Sequence, residues 1–157
     1  MRHAKSSWKE DALADHDRPL NKRGKSDAPQ MGKLLRDHDL VPDLILCSTA
    51  VRASSTARAV LDECGGEAEI QRHPEIYDGG ECEILEILRC VPEGLETVLL
   101  VGHNPSISVL VEMLSAESVP MPTAAIAQIE LNIEHWQGLS EVTRGRLKGY
   151  WMPRETA

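Results

Sequence analysis

At 157 residues, with 41% hydrophobic and 27% charged residues, the chain has the makeup of one globular domain, residues 1–157, able to bury a core. A net charge of −8 and a pI near 5.2 argue against nonspecific binding to nucleic acid or anionic membranes, while leaving room for a small basic pocket. No apolar run is long enough for a membrane span, the polar start does not read as a signal peptide, and four cysteines (Cys47, Cys64, Cys82, Cys90) lack metal-ligand spacing, so the expectation is a cytoplasmic protein with reduced thiols.

Pro19-Leu20-Asn21 precedes a helical stretch to about His38, and Pro29 inside it predicts a kink or a restart. Asp43 to Ser48 is a short apolar run with the pattern of a buried parallel strand, Cys47 included. Ser48 and Thr49 are then placed to cap a helix from about Ala50 to Cys64, which Gly65-Gly66 ends. Glu69 to Gln71 suggests a short strand. Ile84, Leu85, Ile87, Leu88 and Val91 have helical spacing within Glu81 to Val91, closed by Pro92 and Gly94. Thr97 to Val101 is the clearest strand pattern, followed by Asn104 as N-cap and Pro105 as first residue of a helix carrying Ile107, Leu110, Val111 and Leu114. Ala124 to Leu131 and Gly145 to Trp151 read as an antiparallel pair at the edge. Strands alternating with helices indicate a three-layer α/β/α sandwich with a mainly parallel central sheet.

In an open parallel sheet, ligands bind at the carboxyl ends of the strands. His103 follows the Thr97–Val101 strand and precedes a helix start, a setting that favours an anion. Arg52 falls in the first turn after the other clear strand, and Arg2 and His3 stand where a first strand would end. Taken singly, each residue has a plain structural reading: a surface arginine, a histidine satisfying a loop carbonyl, a frayed terminus. Together, two arginines and two histidines make a phosphate pocket, since guanidinium forks match phosphate oxygens in pairs.

At these residues the chain resembles the histidine phosphatase superfamily, most closely its short phosphohistidine phosphatase branch, the SixA type. The resemblance rests on Arg2-His3-Ala4-Lys5-Ser6-Ser7-Trp8, Asp17-Arg18-Pro19-Leu20-Asn21-Lys22-Arg23-Gly24, Ser48-Thr49-Ala50-Val51-Arg52-Ala53 with Thr56-Ala57, Val101-Gly102-His103-Asn104-Pro105, and Met121-Pro122-Thr123-Ala124-Ala125. It spans nearly the whole chain and implies a phosphoglycerate mutase-like fold. It further implies that His3 is the nucleophile and forms a transient phosphohistidine, that Arg2, Arg52 and His103 hold the phosphoryl group and stabilise its transition state, and that Arg18 helps bind substrate. No metal or other cofactor is implied, because the arginines neutralise the charge. The expected partner is a phosphorylated protein or a small phosphoester, met by a monomer.

Three departures from the family pattern set further expectations. Relatives carry an apolar strand ahead of the Arg-His pair, whereas only Met1 stands there, so the first strand is expected to be truncated and His3 poorly anchored. Glu75, Asp78 and Glu81 lie where larger relatives keep a general acid, with the alternatives of one of these or none left open. The short chain predicts an open pocket.

The competing reading is a non-catalytic phosphate- or phosphoprotein-binding module of the same fold. A nucleotide-binding protein ranks lower, since neither phosphate-loop pattern is present and Gly65-Gly66 and Gly79-Gly80 read as turns. So does a zinc enzyme, for want of His-x-x-x-His or Cys-x-x-Cys spacing.

Overall fold

The computed structural model describes residues 1–154. Helix α1 spans Lys22–Asp37, capped by Asn21, whose side chain accepts from the Gly24 N–H at 2.8 Å. It runs through Pro29 without the expected restart. Proline removes the bond that the Lys25 carbonyl would otherwise accept, and Lys25 lies on the exposed face, where water can serve. A Cβ on Gly24 would collide with the Lys5 carbonyl oxygen, so glycine is required where the N-terminal segment crosses α1.

Strand β1, Leu44–Ser48, is buried along its whole length. Its alternation sends Ile45 and Cys47 into one core and Leu44 and Leu46 into the other. Helix α2, Val51–Cys64, ends on Gly65 in the left-handed conformation, φ 79°. Then come β2, Glu69–His73; a short helix α3, Pro74–Asp78, that the sequence reading did not anticipate; and α4, Glu81–Arg89. Strand β3, Val98–Val101, leads to α5, Ser106–Ser115, and the chain closes with β4, Ile126–Leu131, and β5, Gly145–Trp151.

Strands β2, β1 and β3 form a parallel sheet in that spatial order, and β4 and β5 form a separate antiparallel pair. One core packs α1 and α2 against the sheet; the other packs α3, α4 and α5 against its opposite face. This is the α/β layering expected from the sequence. No helix among the described residues is long and apolar enough to cross a membrane.

The first residues join the two sheets. Arg2 bridges Gly102 in parallel, and its N–H donates to the Ala125 carbonyl at 3.1 Å. The His3 N–H donates to the Gly102 carbonyl at 3.0 Å, and the His3 carbonyl accepts from Ala124 N–H at 3.0 Å. The N–H of Ala4 donates to Thr56 Oγ1 at 3.0 Å. The expectation that His3 would be poorly anchored is therefore overturned. A short strand stub suffices because it is hydrogen-bonded on both sides, and His3 is 7% exposed.

Candidate active site

The carboxyl ends of β1 and β3 meet the N-terminal stub at one corner of the sheet. There the His3 and His103 rings lie 5.0 Å apart, centroid to centroid, tilted by 52°. Nδ1 of His3 is 2.7 Å from the Ala4 carbonyl oxygen, which can only accept. The proton is therefore assigned to Nδ1, and Nε2 keeps its lone pair. Burial lowers the His3 pKa most; the Ala4 bond opposes this, Arg52, Arg2 and Arg18 add to it, and the result is about 4. At neutral pH the ring is an uncharged base.

His103 is held differently. Its Nε2 lies 2.8 Å from Ser48 Oγ, and its buried Nδ1 has no hydrogen-bond partner. Burial again dominates, the neighbouring His3, Arg52 and Arg2 add to it, Asp15 opposes, and its pKa falls to about 3. Ser48 Oγ also accepts from the Ala50 N–H at 3.1 Å, and Thr49 Oγ1 lies 2.9 Å from His16 Nε2. The predicted capping of α2 by Ser48 and Thr49 is thus corrected: Ala50 is the N-cap, with no side-chain cap, and both hydroxyls face imidazoles instead. The predicted cap of α5 is corrected by one residue: Pro105 is the N-cap and the helix starts at Ser106, so Asn104 lies just outside it, yet its Oδ1 still accepts from Ser108 N–H at 3.3 Å. Its Nδ2 ties the loop to the Met121 carbonyl at 3.0 Å.

Arg52 is 7% exposed. Its Nη1 donates to the Asp15 carbonyl at 2.7 Å and its Nη2 to Asp15 Oδ2 at 3.0 Å. Thr56 Oγ1 fixes the same turn of helix by donating to the Arg52 carbonyl at 2.6 Å. Arg2 donates from Nη1 to the Met121 carbonyl at 3.2 Å, while its buried Nε has no partner. Arg18 donates from Nε to the Ser7 carbonyl at 3.0 Å, from Nη1 to Asp15 Oδ1 at 2.8 Å, and from Nη2 to Ser6 Oγ. Its guanidinium also stacks over Trp8, 3.2 Å from the ring centroid.

Asp15 is the hub of this cluster, and the sequence reading missed it. It accepts from Arg18, Arg52 and the Tyr77 hydroxyl, the last at 2.9 Å. Burial pushes its pKa up, but the bonds from Tyr77, Arg52 and Arg18 outweigh that and hold it at about 2. It is thus ionised and cannot supply a proton at neutral pH. The signal for it was present: an acid three residues ahead of Arg18, in a short 3-10 turn. Tyr77 was missed too, although it lies in the segment that held the acid candidates. Its ring meets His103 edge-on at 5.6 Å and His16 at 4.9 Å. Glu75 and Asp78 are exposed, and neither they nor Glu81 hydrogen-bonds to any of the arginines or histidines above among the described residues. That segment reaches the site through a phenol, not a carboxylate.

All five residues singled out from sequence, Arg2, His3, Arg18, Arg52 and His103, lie in or against this corner. A cavity of about 820 Å3 lies elsewhere, between the edges of β3 and β4, and none of the five lines it.

Comparison with known proteins places the corner in context. A family model described as histidine phosphatase superfamily (branch 1) matches residues 1–97. An uncharacterised protein of Mycobacterium tuberculosis is 34% identical over 165 residues, covering 98% of this chain and all of that protein. Phosphohistidine phosphatase SixA of Escherichia coli is 29% identical over 136 residues, covering 84% of this chain and 83% of the enzyme. Among solved structures, one named for SixA from Agrobacterium tumefaciens superimposes with a TM-score of 0.83 at 29% identity, covering 98% of this chain and 95% of that one. The protein histidine phosphatase SixA complexed with tungstate gives 0.80 at 27% identity, covering 96% and 92%.

Proposed function

This chain belongs to the histidine phosphatase superfamily, branch 1, and we propose that it is a metal-independent phosphatase that hydrolyses phosphohistidine on a protein, using His3 as nucleophile. The observation that carries the reading is the His3 ring. Its proton is held by the Ala4 carbonyl, its Nε2 is free and basic, and a second imidazole stands 5.0 Å away.

In the proposed reaction Nε2 of His3 attacks phosphorus. The His3–phosphorus bond forms as the substrate's nitrogen–phosphorus bond breaks, and the leaving imidazole takes a proton from solvent. Water then attacks the phosphoenzyme, inorganic phosphate departs, and His3 regains its neutral form. Arg2, Arg52 and His103 hold the phosphoryl oxygens and favour the charge that builds on them. Two buried groups without partners, Arg2 Nε and His103 Nδ1, support this assignment. A buried donor left unpaired costs about 1–3 kcal/mol. With the Ser48 hydroxyl donating to His103 Nε2, the His103 proton lies on Nδ1, and a phosphoryl oxygen satisfies it. Arg18 contributes to substrate binding at the rim through Asp15, which it shares with Arg52.

The ionised Asp15 and the exposed Glu75 and Asp78 provide no strong acid, which suits a leaving imidazole better than an alkoxide. The SixA relatives favour the same substrate, and tungstate in one of them is an oxyanion of phosphate-like shape. Small phosphomonoesters are the alternative substrates. The reading places a monomer in a reducing cytoplasm, in keeping with four free thiols.

The test is phosphate release from a phosphohistidine-carrying protein in excess EDTA, by this chain and its His3→Ala variant. Release that survives EDTA and disappears in the variant is expected. Release that requires added metal, or that persists in His3→Ala, overturns the proposal.

A further inference from the structure

Trp8 is 74% exposed, an unusual state for so large an apolar side chain, and it stands at the rim of the histidine corner. Its loop, residues 7–14, leaves the site after Ser6 and returns to it at Asp15, and Leu13 in the same loop is also open to solvent.

The indole is held in place. The Ser7 N–H donates to the Pro19 carbonyl at 2.8 Å and the Lys9 N–H to Ser7 Oγ at 3.2 Å, so the backbone is tied on both sides of Trp8. The Arg18 guanidinium stacks on one face of the ring, 3.2 Å from its centroid. That guanidinium is itself fixed: Nε, Nη1 and Nη2 each have a protein partner, in Ser7, Asp15 and Ser6, and the residue is buried. Asp15 continues the chain of contacts to Arg52. Trp8 is thus linked, through Arg18 and Asp15, to a guanidinium that holds the phosphoryl group in the proposed reaction. Shielding Arg18 uses one face of the indole and leaves the other to solvent.

The chemistry of that open face selects its guest. The π face repels a carboxylate, and Arg18, Arg52 and Arg2 disfavour a further cation, so an apolar side chain suits it best. A ring fixed before contact loses little entropy on binding, and tryptophan is among the residues that most often anchor an interface. The carrier of a phosphoryl group bound in the corner lies over this rim.

We propose that Trp8 is a specificity-determining residue. It takes an apolar side chain next to the phosphohistidine on the surface of the substrate protein, and so favours a protein over a free phosphorylated amino acid. The inference rests on the phosphatase reading for its occupant and adds to it the residue that recognises the carrier.

The test measures kcat and KM of the parent, Trp8→Ala and Trp8→Phe chains on two substrates: a protein whose phosphohistidine is flanked by leucine, and free phosphohistidine. Trp8→Ala should lose about tenfold more kcat/KM on the protein than on the free amino acid, with the difference in KM, because the contact is equal in ground and transition states. Trp8→Phe should recover most of that difference. Equal losses on both substrates, the result if Trp8 only braces Arg18, overturn the proposal and leave the phosphatase reading standing; so does no loss on either. If the parent turns over neither substrate, the phosphatase reading fails and binding decides. The phosphoprotein should then still bind the parent about tenfold more tightly than Trp8→Ala, and equal binding, or none, overturns the role of Trp8.

Discussion

His3 and His103 lie tilted against each other at one corner of the sheet, and both are driven neutral by burial and nearby arginines. Their hydrogen bonds nevertheless assign them different chemistry. A carbonyl holds His3, so one tautomer is imposed and Nε2 is a base. A hydroxyl holds His103, and a hydroxyl can donate or accept, so that ring can present a proton to an oxygen at Nδ1. The lesson is that two like residues in one site are told apart by their second partner, not by burial or charge.

Removing His103 while keeping His3 should have the largest effect. His103→Asn should lose about 10²–10³ in turnover, the usual effect of deleting one transition-state donor, and should weaken vanadate binding by a similar factor. A His103→Asn enzyme as inert as His3→Ala would erase the division of labour. A parent chain that binds vanadate no better than phosphate would favour the non-catalytic binding module.

Acid should act on His3 at an unusually low pH. In the proposed mechanism turnover requires an uncharged His3 Nε2, so the acid limb of kcat/KM should fall about tenfold per pH unit below about 4, not from 6.5. The unfolded chain takes up this proton near 6.5, so stability should also decline as pH drops from 6.5 towards 4. Titrating the His3 ring by NMR checks the value directly, and a pKa near 6.5 would contradict the burial argument.

A change at Asp15 should have a smaller effect. Asp15→Asn frees Arg52 and Arg18 from a charged partner, and about a tenfold loss of kcat/KM is expected from a loosened guanidinium. Asp15 has a depressed pKa of about 2, so its contribution to stability is present above about pH 4 and is lost as pH falls through 2. Thermal melts between those values should be less pH-dependent in Asp15→Asn. The side chain is half exposed, so the difference should be modest. Ser48→Ala should have the least effect, a few-fold loss of activity, because His103 keeps its ring and loses one orienting bond.

The legible parts of the molecule were those encoded locally. The apolar run of β1, the left-handed Gly65 after α2, and β5 follow from neighbouring residues alone. Arg2, His3, Arg52 and His103 could be gathered because each follows a strand or strand stub and the sheet sets those ends side by side. What escaped was set by long-range partners. Asp15 meets Tyr77 across 62 positions, and Ser48 meets His103 across 55. Ser48 and Thr49 resembled helix caps because a hydroxyl before a helix usually is one, and only the folded corner shows imidazoles competing for them. The anchoring of His3 was misjudged for a similar reason. Its supports are backbone groups of Gly102 and Ala124, which leave no mark in side-chain pattern.

In the proposed reaction His3, of the two histidines, alone carries the phosphoryl group. Rapid quench of the enzyme with phosphohistidine protein in alkali, followed by peptide mapping, tests it most directly. The account predicts an alkali-stable, acid-labile phosphate on the peptide containing His3, absent from the peptide containing His103. Phosphate on His103, or turnover with no phosphoenzyme on either peptide, would contradict it.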